Sequence, residues 1–321
     1  MPHKKSFAIG IDTGGTKTSI IVGDEQGRIF ESCLLPTLTG SKTREGIQQL
    51  LAALQEIVSD RRFKNKLRGV GLGLPGPVDS QKGVVPFSPH LQSWKGLPIK
   101  KMIQRKIRLP VAMANDANAA ALGEKFFGQG RGVSHFIYVT VSTGIGSGIV
   151  VDGKLLAGTS FVAGEIGHTK IVANGNFCKC GMRGCLEAYA SGTAIAQSAK
   201  KMLTAGQVRK VKSYSGAEVL SAKVLGRAAR RGYAPAVRIY TQAGFYLGVG
   251  MANLLNILNP EKIILGGGVF KSAPSEFWEA MMQSCRTNAW PEAFKAVKIV
   301  PSRLHGRVGD LGALALVFEN L

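Results

Sequence analysis

Apolar residues fall into two spacings along this chain. Runs at residues 7–11, 18–23 and 29–34 are mostly apolar, and the polar turn Asp24-Glu25-Gln26-Gly27 separates the last two. They read as three strands of a meander. Residues 44–59 instead place Ile47, Leu50, Leu51, Leu54 and Ile57 at the three- and four-residue steps of one helix face. Strands follow at 70–74 and 110–114, and a helix starts within 117–127. A strand at 136–141 then enters the glycine turn Ser142-Thr143-Gly144-Ile145-Gly146-Ser147-Gly148, with apolar residues 149–151 and Asp152-Gly153 after it. Residues 192–258 read as mainly helical, 263–265 as a short strand into Gly266-Gly267-Gly268, and 311–318 as a closing helix. Strands alternating with helices predict an α/β fold.

With 321 residues and 45% hydrophobic content, the chain can bury a large core and is expected to form two domains. No apolar run reaches transmembrane length, and Met1-Pro2-His3-Lys4-Lys5 lacks a signal-peptide pattern, so a cytoplasmic protein without membrane partners is expected. The charge is unusual: 41 Lys+Arg against 20 Asp+Glu, a net +21. The bland account is solvated basic helix faces; the alternative is a polyanion partner.

The densest chemistry lies at 164–187. Gly164-Glu165-Ile166-Gly167-His168 precedes Cys178-Lys179-Cys180-Gly181-Met182-Arg183-Gly184-Cys185-Leu186-Glu187. Three thiolates and one imidazole, from His168, Cys178, Cys180 and Cys185, make a closed tetrahedral zinc site of the structural type. Glu165 and Glu187 then remain free to accept hydrogen bonds. Cys33 and Cys285 read as ordinary thiols, so no disulfide framework is implied.

Two further segments carry chemistry. The strand at 7–11 runs into Asp12-Thr13-Gly14-Gly15-Thr16-Lys17, where a glycine turn brings N–H groups to phosphate and Asp12 can hold hydrated Mg²⁺. Asn115-Asp116-Ala117-Asn118 stands where a strand gives way to an alanine-rich helix. By residue type alone, Asp116 serves equally as a catalytic base or as a helix N-cap.

Taken together, Asp-x-Gly-Gly-Thr-Lys at 12–17, Gly-x-Pro-Gly-Pro-Val-Asp at 73–79, Asn-Asp-Ala-Asn-Ala-Ala at 115–120, Glu-x-Gly-His at 165–168 and Cys-x-Cys-Gly-x-x-Gly-Cys-x-Glu at 178–187 resemble the ROK family of repressors and sugar kinases. The resemblance spans nearly the whole chain. It implies a two-domain ribonuclease-H-like (actin/hexokinase-like ATPase) fold with a cleft between the domains. The smaller domain would hold residues 1–117 plus about 306–321, and the larger 118–305 with the zinc site. The strand–turn–strand pattern at 136–152 echoes that at 7–24, as a duplicated fold would leave it.

The resemblance also implies roles. Asp116 becomes the general base; Gly76, Asn115, Asp116, Glu165, His168 and Glu187 bind the sugar. His168 would give one ring nitrogen to zinc and the other to a sugar hydroxyl. Asp12, Gly14, Gly15 and Thr16, with Thr143, Gly144 and Gly146, would face Mg-ATP phosphates, and Gly266, Gly267 and Gly268 the adenosine. Lys17 is as well explained by solvation as by a phosphate contact. His90 and Ser147 depart from the family, which commonly has Asn and Gly there.

ATP-dependent phosphorylation of a hexose follows, with glucose first because 185–192 is similar to bacterial glucokinases. Fructose, mannose and N-acetylhexosamine kinases share the motifs, and some relatives use polyphosphate. A sugar-sensing repressor is the other class; only eleven residues precede Asp12, too few for a helix-turn-helix, so no specific nucleic-acid partner is expected. The family also implies a homodimer or homotetramer.

Overall fold

The computed structural model describes residues 6–88 and 91–321. The chain opens with β1 (Phe7–Thr13), β2 (Lys17–Asp24), β3 (Ile29–Pro36), α1 (Thr43–Ser59), β4 (Leu67–Leu74), α2 (Ile99–Ile107), β5 (Val111–Asn115) and α3 (Asp116–Phe127). It continues through β6 (Phe136–Val141), β7 (Ile145–Val151), β8 (Lys154–Leu155), α4 (Glu187–Ala190), α5 (Gly192–Met202), α6 (Ala205–Ser213), α7 (Ala222–Arg230) and α8 (Ala234–Leu258). It ends with β9 (Lys262–Gly266), α9 (Gly268–Ser272), α10 (Ser275–Asn288), α11 (Pro291–Ala296), β10 (Lys298–Pro301) and α12 (Val308–Asn320). Two five-stranded sheets result, in the orders β3-β2-β1-β4-β5 and β10-β9-β6-β7-β8. No helix among the described residues is long and apolar enough to cross a membrane.

The chain forms two compact units. Of the described residues, the first comprises those up to Val133, Gly148–Ala163 and Ser302–Leu321; the second comprises Ser134–Ser147 and Gly164–Pro301. In the first, β1 is central and buried at every position but Asp12, as an interior strand covered on both faces must be. One cover is α1, whose Ile47, Leu50, Leu54 and Ile57 form the inward stripe. The other is α12, with Leu311, Leu314 and Val317 against Ala8 and Ile21. That helix lies so close that a side chain at Gly71 of β4 would collide with the Ala313 carbonyl.

Strands β1, β4 and β5 are mutually parallel, so their carboxyl ends share one end of the sheet. Ligands in open α/β sheets gather there. In the second unit β6, β9 and β10 are likewise parallel.

One strand starts earlier than the sequence suggests. The glycine turn expected through residue 148 closes at Gly144, and β7 begins at Ile145. Gly146 and Gly148 are strand residues, and a Cβ on Gly148 would sit 2.5 Å from the Ala121 Cβ. The glycine at that place serves packing against α3, not the turn.

Candidate active site

In the first unit, the carboxyl ends of three strands bring together Asp12, the loop 73–76 and Asn115-Asp116. Asp12 pairs across β1 with Gly73 on one side and Ser19 on the other. Burial, aided by Asp310 and then Asp116 and opposed by Lys17, pushes its carboxyl up to about 7. Such a carboxyl readily exchanges its proton for a cation near neutral pH, which suits Asp12 to Mg²⁺. Gly15, Thr16 and Lys17 form an exposed turn, closed by the Gly14 N–H donating to the Lys17 carbonyl at 2.9 Å.

The N-cap position of α3 is taken by the neighbour of Asp116. Asn115 caps α3: its Oδ1 accepts from the N–H groups of Ala117 at 2.9 Å and Asn118 at 3.3 Å. Its Nδ2 donates to the Gly76 carbonyl at 3.1 Å, tying the loop after β4 to the end of β5. Most of the Asn115 amide is thereby engaged. Asp116 stays exposed in the first helical turn, where its Oδ1 accepts from Ala117 N–H at 2.8 Å.

In the second unit, His168, Cys178, Cys180 and Cys185 present ligand atoms that all lie within 4.8 Å of one another. The Cys180–Cys185 sulfur separation is 3.7 Å, against about 3.8 Å for two thiolates at Zn–S bonds of about 2.3 Å in a tetrahedron. His168 Nδ1 faces the Cys178 sulfur at 3.9 Å. Its Nε2 points away, 3.9 Å from Glu165 Oε2. The donor set therefore fits a closed zinc site with one imidazole nitrogen left outside. Lys170, which sequence reasoning missed, donates from Nζ to Cys185 Sγ at 2.9 Å and to the His168 carbonyl at 3.1 Å. Three thiolates on a Zn²⁺ held there would carry a net negative charge that this ammonium would offset. Its place two residues after His168 was the available signal.

The carboxylates beside the cluster differ. Glu187 Oε2 accepts from the Ile145 N–H at 2.9 Å, so the cysteine-rich motif supports the turn between β6 and β7. Glu165 is more open, and burial raises its pKa, opposed by His168 and aided by Glu187.

The same turn borders a cavity of about 480 Å³ lined by, among others, Thr143, Lys200, Leu220, Lys223, Gly268 and Val269. Its chemistry, an apolar wall with two ammonium groups and a glycine turn, suits a nucleotide. Thr143 is fixed there: its carbonyl accepts from Thr193 Oγ1 at 2.7 Å. Of the three glycines expected to face adenosine, only Gly268 lines this cavity. A side chain on Gly266 would strike the Tyr138 ring, and Gly267, with φ +100°, would strike the Val141 carbonyl. Those two glycines let β9 and its turn pass close to β6.

Comparison with known proteins is decisive about kinship. Residues 8–320 match the ROK family. The chain belongs to the ROK family. This ROK chain is 34% identical over 322 residues to a glucokinase of Thermotoga maritima, covering 100% of this chain and 99% of that one. It is 33% identical to a xylose repressor of Caldicellulosiruptor bescii, covering 98% of this chain and 78% of the repressor. Among solved structures, a ROK glucokinase from Streptomyces griseus in complex with glucose and AMPPNP superposes with a TM-score of 0.81 at 32% identity, covering 98% of this chain and 100% of the other. The fold is accordingly the actin/hexokinase-like ATPase fold, as the motifs implied.

One departure of this ROK chain from its family now has a physical account. Ser147, where glycine is common, is buried and donates from Oγ to the Gly164 carbonyl at 2.6 Å. The hydroxyl anchors the start of the Glu165–His168 segment. The other departure, His90, lies outside the described residues.

Proposed function

We propose that this chain is an ATP-dependent hexose kinase, with glucose as its first substrate and glucose 6-phosphate as product. The observation that carries the reading is the division of labour at α3: Asn115 occupies the N-cap position, and the exposed Asp116 carboxylate stands in the first turn beside Asp12 rather than at the cap. In the proposed reaction Asp116 accepts the proton of the attacking sugar hydroxyl. Glu165, Glu187 and the outer nitrogen of His168 bind other hydroxyls, together with Gly76 and Asn115. Asp12 would hold the Mg²⁺ that neutralises charge on the transferred phosphoryl group. Gly14, Gly15 and Thr16, with Thr143, Gly144 and Gly146, offer N–H and hydroxyl groups to the phosphates. Zn²⁺ on the Cys178, Cys180, Cys185 and His168 set fixes the imidazole rather than taking part in transfer.

Glucose is favoured over other hexoses by the glucokinase relatives at 34–38% identity. The match to xylose repressors over nearly the whole chain supports a second reading, a sugar-binding regulator without catalysis. ADP release with Mg-ATP across a panel of hexoses and xylose separates them. Turnover with glucose supports the kinase. Tight sugar binding without turnover on any sugar supports the regulator.

A further inference from the structure

Three of the basic residues of this chain gather at one feature that the proposed phosphoryl transfer does not use. Helix α7 buries Val224, Leu225, Ala228 and Ala229, which turns Arg227 and Arg230 outward, with Arg231 directly after them. At spacings of three and four residues these guanidinium groups share one face. With Tyr214 and Ser215, from the end of α6, they line a cavity of about 390 Å³.

Two of the three arginines are held rather than loose. Arg230 Nη1 donates to the Lys271 carbonyl at 2.7 Å. The Arg231 guanidinium lies 5.7 Å from the Tyr214 ring centre, and Lys210 Nζ lies 5.4 Å from the same ring. Among the described residues no carboxylate makes an ion pair with Arg227, Arg230, Arg231 or Lys210. Basic residues at a helix C-terminus do complement its dipole, but that dipole amounts to only about half a charge. Three guanidinium groups around one hollow far exceed it. Guanidinium forks match phosphoryl oxygens two at a time, and three of them can engage more than one phosphoryl group.

We propose that this cavity is a second anion site, taking a compact oligophosphate of two or three phosphoryl groups. It shares helix α7 with the cavity assigned to the nucleotide, through Ala222 and Lys223, but no lining residue. It is therefore independent of the kinase reading and stands whether or not the chain turns over sugar. The ligand is either an inorganic oligophosphate or the phosphate tail of a nucleotide.

The test is equilibrium dialysis of the zinc-loaded full chain against labelled inorganic tripolyphosphate at physiological salt, with AMPPNP saturating its own site. The Arg227→Gln/Arg231→Gln double variant and an Arg105→Gln/Lys106→Gln control on α2 are run alongside. One equivalent of tripolyphosphate should bind to the wild type and the control, and at least about tenfold more weakly to the double variant, as loss of charged hydrogen bonds requires. AMPPNP binding to its own site should be unchanged. One equivalent of AMPPNP on the wild type makes the source inorganic; two on the wild type and one on the double variant extend it to nucleotide tails. Tripolyphosphate binding that survives the double variant, or that is absent from a wild type holding a single equivalent of AMPPNP, overturns the proposal. So does an RNA oligonucleotide that binds through these arginines more tightly than tripolyphosphate, which would make the surface a nucleic-acid contact. Unchanged zinc content and melting temperature in the double variant exclude misfolding.

Discussion

Glu187 Oε2 accepts a hydrogen bond from the Ile145 N–H at 2.9 Å, joining the last residue of the cysteine-rich motif to the turn between β6 and β7. A residue expected to bind sugar thus also supports a turn expected to bind phosphate. A charged hydrogen bond of this kind is worth about 1.5–3 kcal/mol. Glu187→Ala should therefore raise KM for ATP about tenfold as well as KM for glucose. Steady-state kinetics in both substrates checks this; a rise for glucose alone would show that the turn does not need the carboxylate.

Zinc removal should destabilise the second unit. Burial pushes the Cys178 thiol up to about 12 without metal, so loading must expel its proton and zinc affinity must fall as pH falls. Cys178→Ala should take bound zinc from one equivalent to none, measured by elemental analysis, and lower the melting temperature. Chelation of the wild type should do the same, more readily at pH 6 than at pH 8. A melting curve indifferent to chelator would deny the cluster a structural role.

Asp12 should leave a signature in the pH dependence of stability. Its carboxyl is raised from 3.8 to about 7 in the folded chain. Between those values the folded state binds the extra proton, so stability falls as pH rises through that window and is level above it. Asp12→Asn cannot titrate. Without Mg²⁺, the melting temperature of the wild type minus that of Asp12→Asn should decline from pH 4 to pH 7. A flat difference would mean that Asp12 is solvated.

The packing of α12 on β4 predicts a costly glycine. Gly71→Ala would drive a methyl group into the Ala313 carbonyl, and overpacking of this kind costs about 3 kcal/mol. Denaturant titration should show a lower midpoint with an unchanged slope. An unchanged midpoint would mean that the helix shifts freely.

What the sequence revealed, and what it hid, has a physical pattern. Local features were legible: the apolar strand into Asp12, the amphipathic residues 44–59, and the gathering of His168 with Cys178, Cys180 and Cys185, which are close in sequence. Features made by distant segments were not. Asp310 raises the Asp12 pKa from the far end of the chain, and Ile145 meets Glu187 across an intervening stretch that no periodicity connects. Glycines were the hardest residues to read. A glycine that admits a ligand and one that admits a neighbouring strand look alike in sequence: Gly266 and Gly267, expected to face adenosine, also lie close against Tyr138 and Val141. Asn115 and Asp116 could be separated only once the cap was seen.

The central claim is that Asp116 is the base of a hexose kinase. The most direct test is the kcat of Asp116→Asn with glucose and Mg-ATP, alongside zinc content and glucose binding. Loss of a general base should lower kcat by about 10²–10⁴ while zinc stays at one equivalent and glucose affinity changes little. A variant that keeps its kcat would contradict the account, and so would a wild type that binds glucose but releases no ADP with it.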